Sequence, residues 1–211
     1  LLIDQLISPA QAGFVPQRST SLNLRTLFVV LHRVSPAATV AVALLDAKKA
    51  FYSLEWPFLN AILDKMAFPR TFSSLISLLY TSPSARLRLN GTLSTSFSIS
   101  RETQQGCPLS PLLFIIAMDQ FVRQLQSNRL YRGIRLKIGP LLISLYADDI
   151  LLFVNNPSEN LALVLREVTR FGGFSGLNIN WSKLELFPLM AITTLVQCDF
   201  PLQWCGDTVR Y

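Results

Sequence analysis

Leu141-Leu142-Ile143-Ser144-Leu145-Tyr146-Ala147-Asp148-Asp149-Ile150-Leu151-Leu152-Phe153-Val154 sets two adjacent carboxylates between two apolar runs. The flanks predict two strands, 140–146 and 150–154, joined through Ala147-Asp148-Asp149. An acidic pair at the tip of apolar strands serves no packing purpose, and an Asp-Asp turn open to water is the plain alternative. A third acid in the same setting tips the balance. Thr39 to Leu45 is a continuous small-apolar run, suited to a strand buried on both faces, and it ends at Asp46. Pairing these strands would carry Asp46, Asp148 and Asp149 to one edge of one sheet. Carboxylates gathered there repel one another unless a cation joins them. Oxygen ligands suit Mg²⁺. Two such ions about 4 Å apart would activate an attacking hydroxyl and stabilise a leaving phosphate oxygen.

Working outward, Gln11 to Ser21 is polar, with Gly13 and Pro16, and predicts a loop. Leu24, Leu27, Phe28 and Leu31 recur at a helical period within Leu22 to Val34, and this stripe is expected to be core. Past Asp46, Ser53 is expected to N-cap a helix from Leu54 to Ala67, with Glu55 and Pro57 in its first turn. A further helix is expected from Phe72 to Tyr80, ended by Pro83. Ala85 to Leu89 alternates apolar and basic residues, which predicts a half-exposed strand with Arg86 and Arg88 on the wet face. Asn90-Gly91 is a strong hairpin signal, with 97–100 pairing back. Ser110 as N-cap and Pro111 at the first position open a long helix to about Gln126. Pro157-Ser158 opens another to about Phe171, which Gly172, Gly173 and Gly176 are expected to break. Short strands and loops fill the rest. Strands and helices interleave without strict alternation, so the fold class is α+β.

Composition narrows the function. Half of the 211 residues are hydrophobic and only 15% are charged, which excludes a disordered chain. No uncharged window reaches the ~18 apolar residues of a membrane span, so no membrane partner is expected. No basic-apolar-small leader is visible, and the expected location is intracellular, nucleus or cytoplasm, not secreted. Leu1-Leu2-Ile3 lacks a Met, as a piece of a longer protein would. Three cysteines without a C-x-x-C spacing argue against disulfides and zinc. The lone His32 is expected to be partly exposed on a helix. Residues 65–144 carry ten basic and two acidic groups, net +8 against +6 for the whole chain. Such a segment suggests a surface that meets phosphate, although a solvated arginine-rich face has the same charge.

Several stretches resemble the reverse transcriptase of non-LTR (LINE-type) retrotransposons, over essentially the whole chain. Gln11-Ala12-Gly13-Phe14-Val15-Pro16-Gln17-Arg18 is similar to the family's first fingers motif, and Leu45-Asp46-Ala47-Lys48-Lys49-Ala50-Phe51 to its first catalytic motif. Gln105-Gly106-Cys107-Pro108-Leu109-Ser110-Pro111 resembles the nucleotide-binding motif, and Ser144-Leu145-Tyr146-Ala147-Asp148-Asp149 the second catalytic motif. Phe174-Ser175-Gly176-Leu177-Asn178-Ile179-Asn180-Trp181-Ser182-Lys183 is similar to the motif that follows. Five motifs in the right order carry far more weight than an isolated Ala-Asp-Asp.

The resemblance implies a right-hand polymerase palm, an antiparallel sheet backed by helices, with partial fingers and the thumb missing. Residues 1–38 would be fingers. Residues 39–211 would be palm, with a fingers segment interleaved at about 67–100, ending within the primer-grip region. The implied reaction is RNA-directed DNA synthesis: a primer 3′-hydroxyl attacks the α-phosphate of a dNTP on an RNA template, with two Mg²⁺ (Mn²⁺ as a possible substitute). Asp46, Asp148 and Asp149 would be catalytic and hold the metals, with the backbone carbonyl of Ala47 helping. Phe51 would exclude a ribose 2′-hydroxyl; on the residues alone it is a core ring. Gln105 and Gly106 would touch the nucleotide. Lys183 would neutralise or protonate the leaving pyrophosphate; on the residues alone it is a solvated loop lysine. Arg86 and Arg88 would face template or primer phosphate. Protein partners are not implied. The alternatives are a catalytically inactive nucleic-acid-binding remnant, the product of a degenerate element, and, more weakly, an RNA-dependent RNA polymerase. The chain departs from the family pattern at Lys48, a new cation close to Asp46, at Tyr52, and at Glu102 and Gln104 beside the implied triphosphate site.

Overall fold

The computed structural model describes residues 3–35, 38–99, 107–137, 139–189 and 203–204. Its centre is the strand Val40–Leu45, whose small apolar side chains let neighbours close on both faces. Ala41, Ala43 and Leu45 enter the larger core, while Val40 and Val42 enter a second cluster on the opposite face. The period-2 alternation of a pleated strand makes this two-sided burial possible. Asp149–Asn155 pairs antiparallel along one edge of this strand and Glu185–Pro188 along the other. Ile143–Tyr146 extends the sheet beyond Asp149–Asn155. Gln203–Trp204 adds a parallel strand outside Glu185–Pro188, giving five strands.

The larger core packs this sheet on two long helices, Ser110–Ser127 and Pro157–Ser175. Phe114, Met118, Phe121 and Leu125 from the first meet Leu161, Val164, Leu165 and Val168 from the second. Each such side chain contributes on the order of 1.5–3 kcal/mol by leaving water. The second cluster is covered by the helix Thr20–Arg33 and a hairpin formed by Ile134–Leu136 and Gly139–Leu141. A mainly antiparallel sheet with helices packed on both faces fits the expected α+β class.

Several local expectations are corrected. The stripe at Leu24, Leu27, Phe28 and Leu31 is not all core: Leu24 and Phe28 are each 55% exposed. The helix turns the neighbouring face inward, through Leu27, Val30 and Leu31, and side chains two positions apart on a helix point away from one another. Ser53 caps no helix. It ends a short helix, Ala50–Ser53, donating its hydroxyl to the Ala50 carbonyl, and the next helix runs Trp56–Lys65 behind Glu55. The Glu55 N–H donates to the Ser175 carbonyl, which fixes that start from outside the segment. Gly172 and Gly173 lie inside the helix Pro157–Ser175 and do not break it. Gly172 clears space for the Leu177 carbonyl, and only Gly176, at φ +80°, turns the chain. The strand expected over 140–146 divides at Leu142, its first part joining the separate hairpin. The stretch Ala85 to Leu89 divides too, into Ser84–Ala85 and Arg88–Leu89, and Leu87 and Leu89 are exposed with the arginines. The Asn90-Gly91 turn joins Arg88–Leu89 to Thr92–Leu93 as expected. His32 is exposed on its helix.

Candidate active site

The register of the sheet assembles the acidic edge. Leu45 is opposite Ile150, and Ile150 is opposite Leu145. One residue further along, Asp46 leaves the central strand level with Asp149, where the hairpin turns through Ala147 and Asp148 back to Tyr146. Asp46 and Asp149, remote in sequence, are thus delivered to one edge by hydrogen-bond register alone. A slip of one residue would turn either side chain to the other face.

The chain after Asp46 is held as firmly. Ala47–Lys48 pairs antiparallel with Asn178–Ile179, and the Asn180 N–H donates to the Asp46 carbonyl at 2.8 Å. A short 3₁₀ turn, Trp181–Lys183, then brings the Lys183 ammonium to 2.9 Å from Asp46 Oδ2. Lys183 is thus an exposed lysine held to the acidic edge by its ion pair with Asp46. Lys48 is exposed and makes no ion pair with Asp46, so the cation on this carboxylate is Lys183.

Electrostatics links the four groups. Partial burial lifts the Asp149 carboxyl above its usual range, and the charges of Asp148 and Asp46 lift it further, against the pull of Lys183. The hydrogen bond that Lys183 donates to Asp46, and the Asp46 charge, raise the Lys183 ammonium, helped by Asp149. The edge thus carries three carboxylates and one ammonium, with Asp149 feeling the uncompensated charge. Hard oxygen donors that repel one another match a divalent cation of the Mg²⁺ class. Among the described residues, no three acidic, imidazole or thiol side chains converge on a common point. Asp46 instead gives one oxygen to Lys183.

Phe51 lies on the short helix Ala50–Ser53, behind Lys49 in the left-handed region at φ +49°. Its ring is 4.6 Å from that of Phe114 and meets Phe14 edge-on at 6.1 Å. It is partly buried against the larger core, which satisfies the core reading, while the short helix keeps it five residues from Asp46. Ala47 is buried at its strand pair with Ile179. Arg88 is exposed on a strand of a two-stranded sheet separate from the central one, and Arg86 is exposed on the link between it and Ser84–Ala85. Gln105, Gly106, Glu102 and Gln104 lie outside the described residues.

Residues 1–197 match the family described as reverse transcriptase (RNA-dependent DNA polymerase). The chain belongs to the reverse transcriptase family. Its relatives place it with the non-LTR retrotransposon type. It is 28% identical to the transposon TX1 uncharacterized 149 kDa protein of Xenopus laevis, over 100% of this chain and 16% of that protein. It is 30% identical to the retrovirus-related Pol polyprotein from the type-2 retrotransposable element R2DM of Drosophila melanogaster, over 83% of this chain and 16% of that protein. The chain therefore spans about a sixth of the length of these relatives. The reverse transcriptase fold is also that of telomerase. Apo telomerase from Candida tropicalis superposes with a TM-score of 0.58 over 88% of this chain and 37% of that one, at 11% identity. Telomerase from Candida albicans, in complex with a fragment of telomeric RNA, superposes with a TM-score of 0.51 over 90% and 32%, at 14% identity.

Two residues of the site escaped the sequence reading. Asn180, which ties Asp46 to the turn that carries Lys183, looks like an ordinary loop residue. Gln11, read as part of a loop motif, is wholly buried against the Ala147 turn. Neither has a sequence signal of its own, because both act through backbone groups remote in the chain.

Proposed function

We propose that this reverse transcriptase domain performs RNA-directed DNA synthesis, extending a primer 3′-hydroxyl with dNTPs on an RNA template. The observation that carries the reading is the register that sets Asp46 level with Asp149 beside the Asp148 turn, with Lys183 on Asp46. Asp46, Asp148 and Asp149 are the residues that would hold two Mg²⁺, or Mn²⁺, with the Ala47 carbonyl alongside. When bound, such ions lower the barrier by activating the attacking hydroxyl and stabilising the leaving oxygen. The side chains then have separate tasks. Lys183, kept protonated well above neutral pH by Asp46, presents a proton to the leaving pyrophosphate. Phe51 fills the space of a ribose 2′-hydroxyl, and Gln105 and Gly106 contact the nucleotide. Arg86 and Arg88 meet phosphates of the duplex.

In this reading residues 1–38 and about 67–100 belong to the fingers and the remainder to the palm, acting in the nucleus or cytoplasm. Primer extension on an RNA template tests it. Asp148→Asn should lower the rate by roughly 1000-fold or more, as expected where a group acts mainly in the transition state. No extension by the wild-type chain, or equal extension by the variant, would overturn the assignment.

A further inference from the structure

The turn that presents Asp148 is held from outside the hairpin. Ala147 sits at φ +55°, a left-handed conformation that residues with a Cβ rarely adopt. Both polar groups of its backbone are taken by one side chain. The Ala147 N–H donates to Gln11 Oε1 at 2.9 Å, and Gln11 Nε2 donates to the Ala147 carbonyl at 3.3 Å. The same Oε1 accepts the Gly13 N–H at 2.8 Å, so the amide is fixed at both ends. Gln11 is wholly buried. Its neighbours complete a short ladder on the strand before the turn, with Leu145 N–H donating to the Ala10 carbonyl and Ala12 N–H to the Leu145 carbonyl. A Cβ at Gly13 would strike the Ala147 nitrogen, so the loop lies against the turn with no room to spare.

The loop is itself anchored. The Arg18 guanidinium donates to the carbonyls of Asp4, Ile7, Ser8 and Gln11. The fully buried carboxylate of Asp119, on the long helix, accepts the Ser8 N–H at 2.7 Å and Arg123 Nε at 2.6 Å. A buried amide paired at every group, on a loop braced from two sides, is a rigid support of the kind that holds reacting groups to fractions of an ångström.

We infer that Gln11 is a positioning residue: it clamps Ala147 in its left-handed conformation and thereby aims the Asp148 carboxylate. The inference rests on the polymerase reading and adds a second-layer residue to it. Gln11→Met keeps the volume and removes all three hydrogen bonds. Primer-extension kcat should fall roughly tenfold to 100-fold, as misplacement by about an ångström does. KM for the dNTP should change little, because binding is not what the clamp serves. Exchange of the Ala147 amide hydrogen should accelerate roughly tenfold or more, since the group loses its buried acceptor. Should Gln11→Met not fold, Gly13→Ala pushes the loop off the turn with Gln11 in place, and the same pattern is expected. A plain packing role predicts unchanged kcat in any variant that folds, and that result overturns the inference alone. An inactive wild-type chain overturns the polymerase reading and carries the clamp's catalytic role with it.

Discussion

Asp149 is the residue where the acidic edge shows its strain. Its carboxyl is held above the ordinary 3.8 by desolvation first and by Asp148 and Asp46 next. The folded chain therefore binds that proton more tightly than the unfolded chain. Stability contributed by this group falls as pH rises from 3.8 through the raised value, and the full repulsion is present at neutral pH. Asp149→Asn imitates the protonated form. It should stabilise the fold near neutral pH by roughly 0.5 kcal/mol, a figure kept small because the side chain is exposed and screened. The gain should shrink as the pH approaches 3.8. Thermal melts of both proteins at two pH values check this, and a gap that stays constant with pH contradicts it. Added Mg²⁺ should narrow the gap from the wild-type side, since an ion between the carboxylates relieves the same repulsion. Lys183, also raised, has the same pH sign in a different window: its favourable ion pair is fully present below 10.5 and is lost only above.

At the scale of elements, the strand Val40–Leu45 and the acidic hairpin were legible because apolar runs ending in acids leave few arrangements. The helix Ser110–Ser127 was legible from its Ser-Pro start, although its N-cap is Leu109, one residue before the serine expected to cap it. What was not legible depended on contacts distant in sequence. The orientation of the helix Thr20–Arg33 is set by the narrow second core, so an apolar stripe alone could not show which residues face it. The start at Trp56 depends on the Ser175 carbonyl, 120 residues beyond the Glu55 N–H that it accepts. Glycine is the clearest case. Gly172 and Gly176 carry the same local signal, yet one serves close approach and the other the turn. Gly176 has φ +80° and lies against the Ser53 carbonyl, where a Cβ would clash. Gly176→Ala should therefore destabilise by about 1–3 kcal/mol, combining left-handed strain with the clash. Gly173→Ala meets nothing within 4 Å and sits in a helix, so it should stabilise by roughly 0.5–1 kcal/mol. Denaturant melts of the two variants separate these outcomes, and equal effects would refute the assignment of the turn to Gly176.

Across the whole molecule, charge is divided by task. The acidic edge holds Asp46, Asp148 and Asp149 with Lys183 paired to Asp46, while the segment 65–144 carries a net +8. Arg88 stands exposed on a two-residue strand, and Arg86 is exposed on the link before it. These short segments bury little and hold no core, so their arginines do not serve stability. If they meet the phosphates of a primer–template duplex, binding must release counterions, and log Kd must rise with log salt by roughly 0.9 for each phosphate neutralised. Replacing both arginines by alanine should then lower that slope by about two and weaken binding at low salt, for any duplex sequence. The melting temperature should stay within a degree or two, because surface changes of this kind cost at most about 0.5 kcal/mol. Fluorescence anisotropy with a labelled RNA–DNA hybrid across a salt series measures the slope directly. An unchanged slope would remove both arginines from the duplex path and leave the remaining basic groups of the segment to account for binding. A lowered slope with unchanged primer-extension kcat at saturating duplex would locate them in binding alone, apart from the chemistry of the acidic edge.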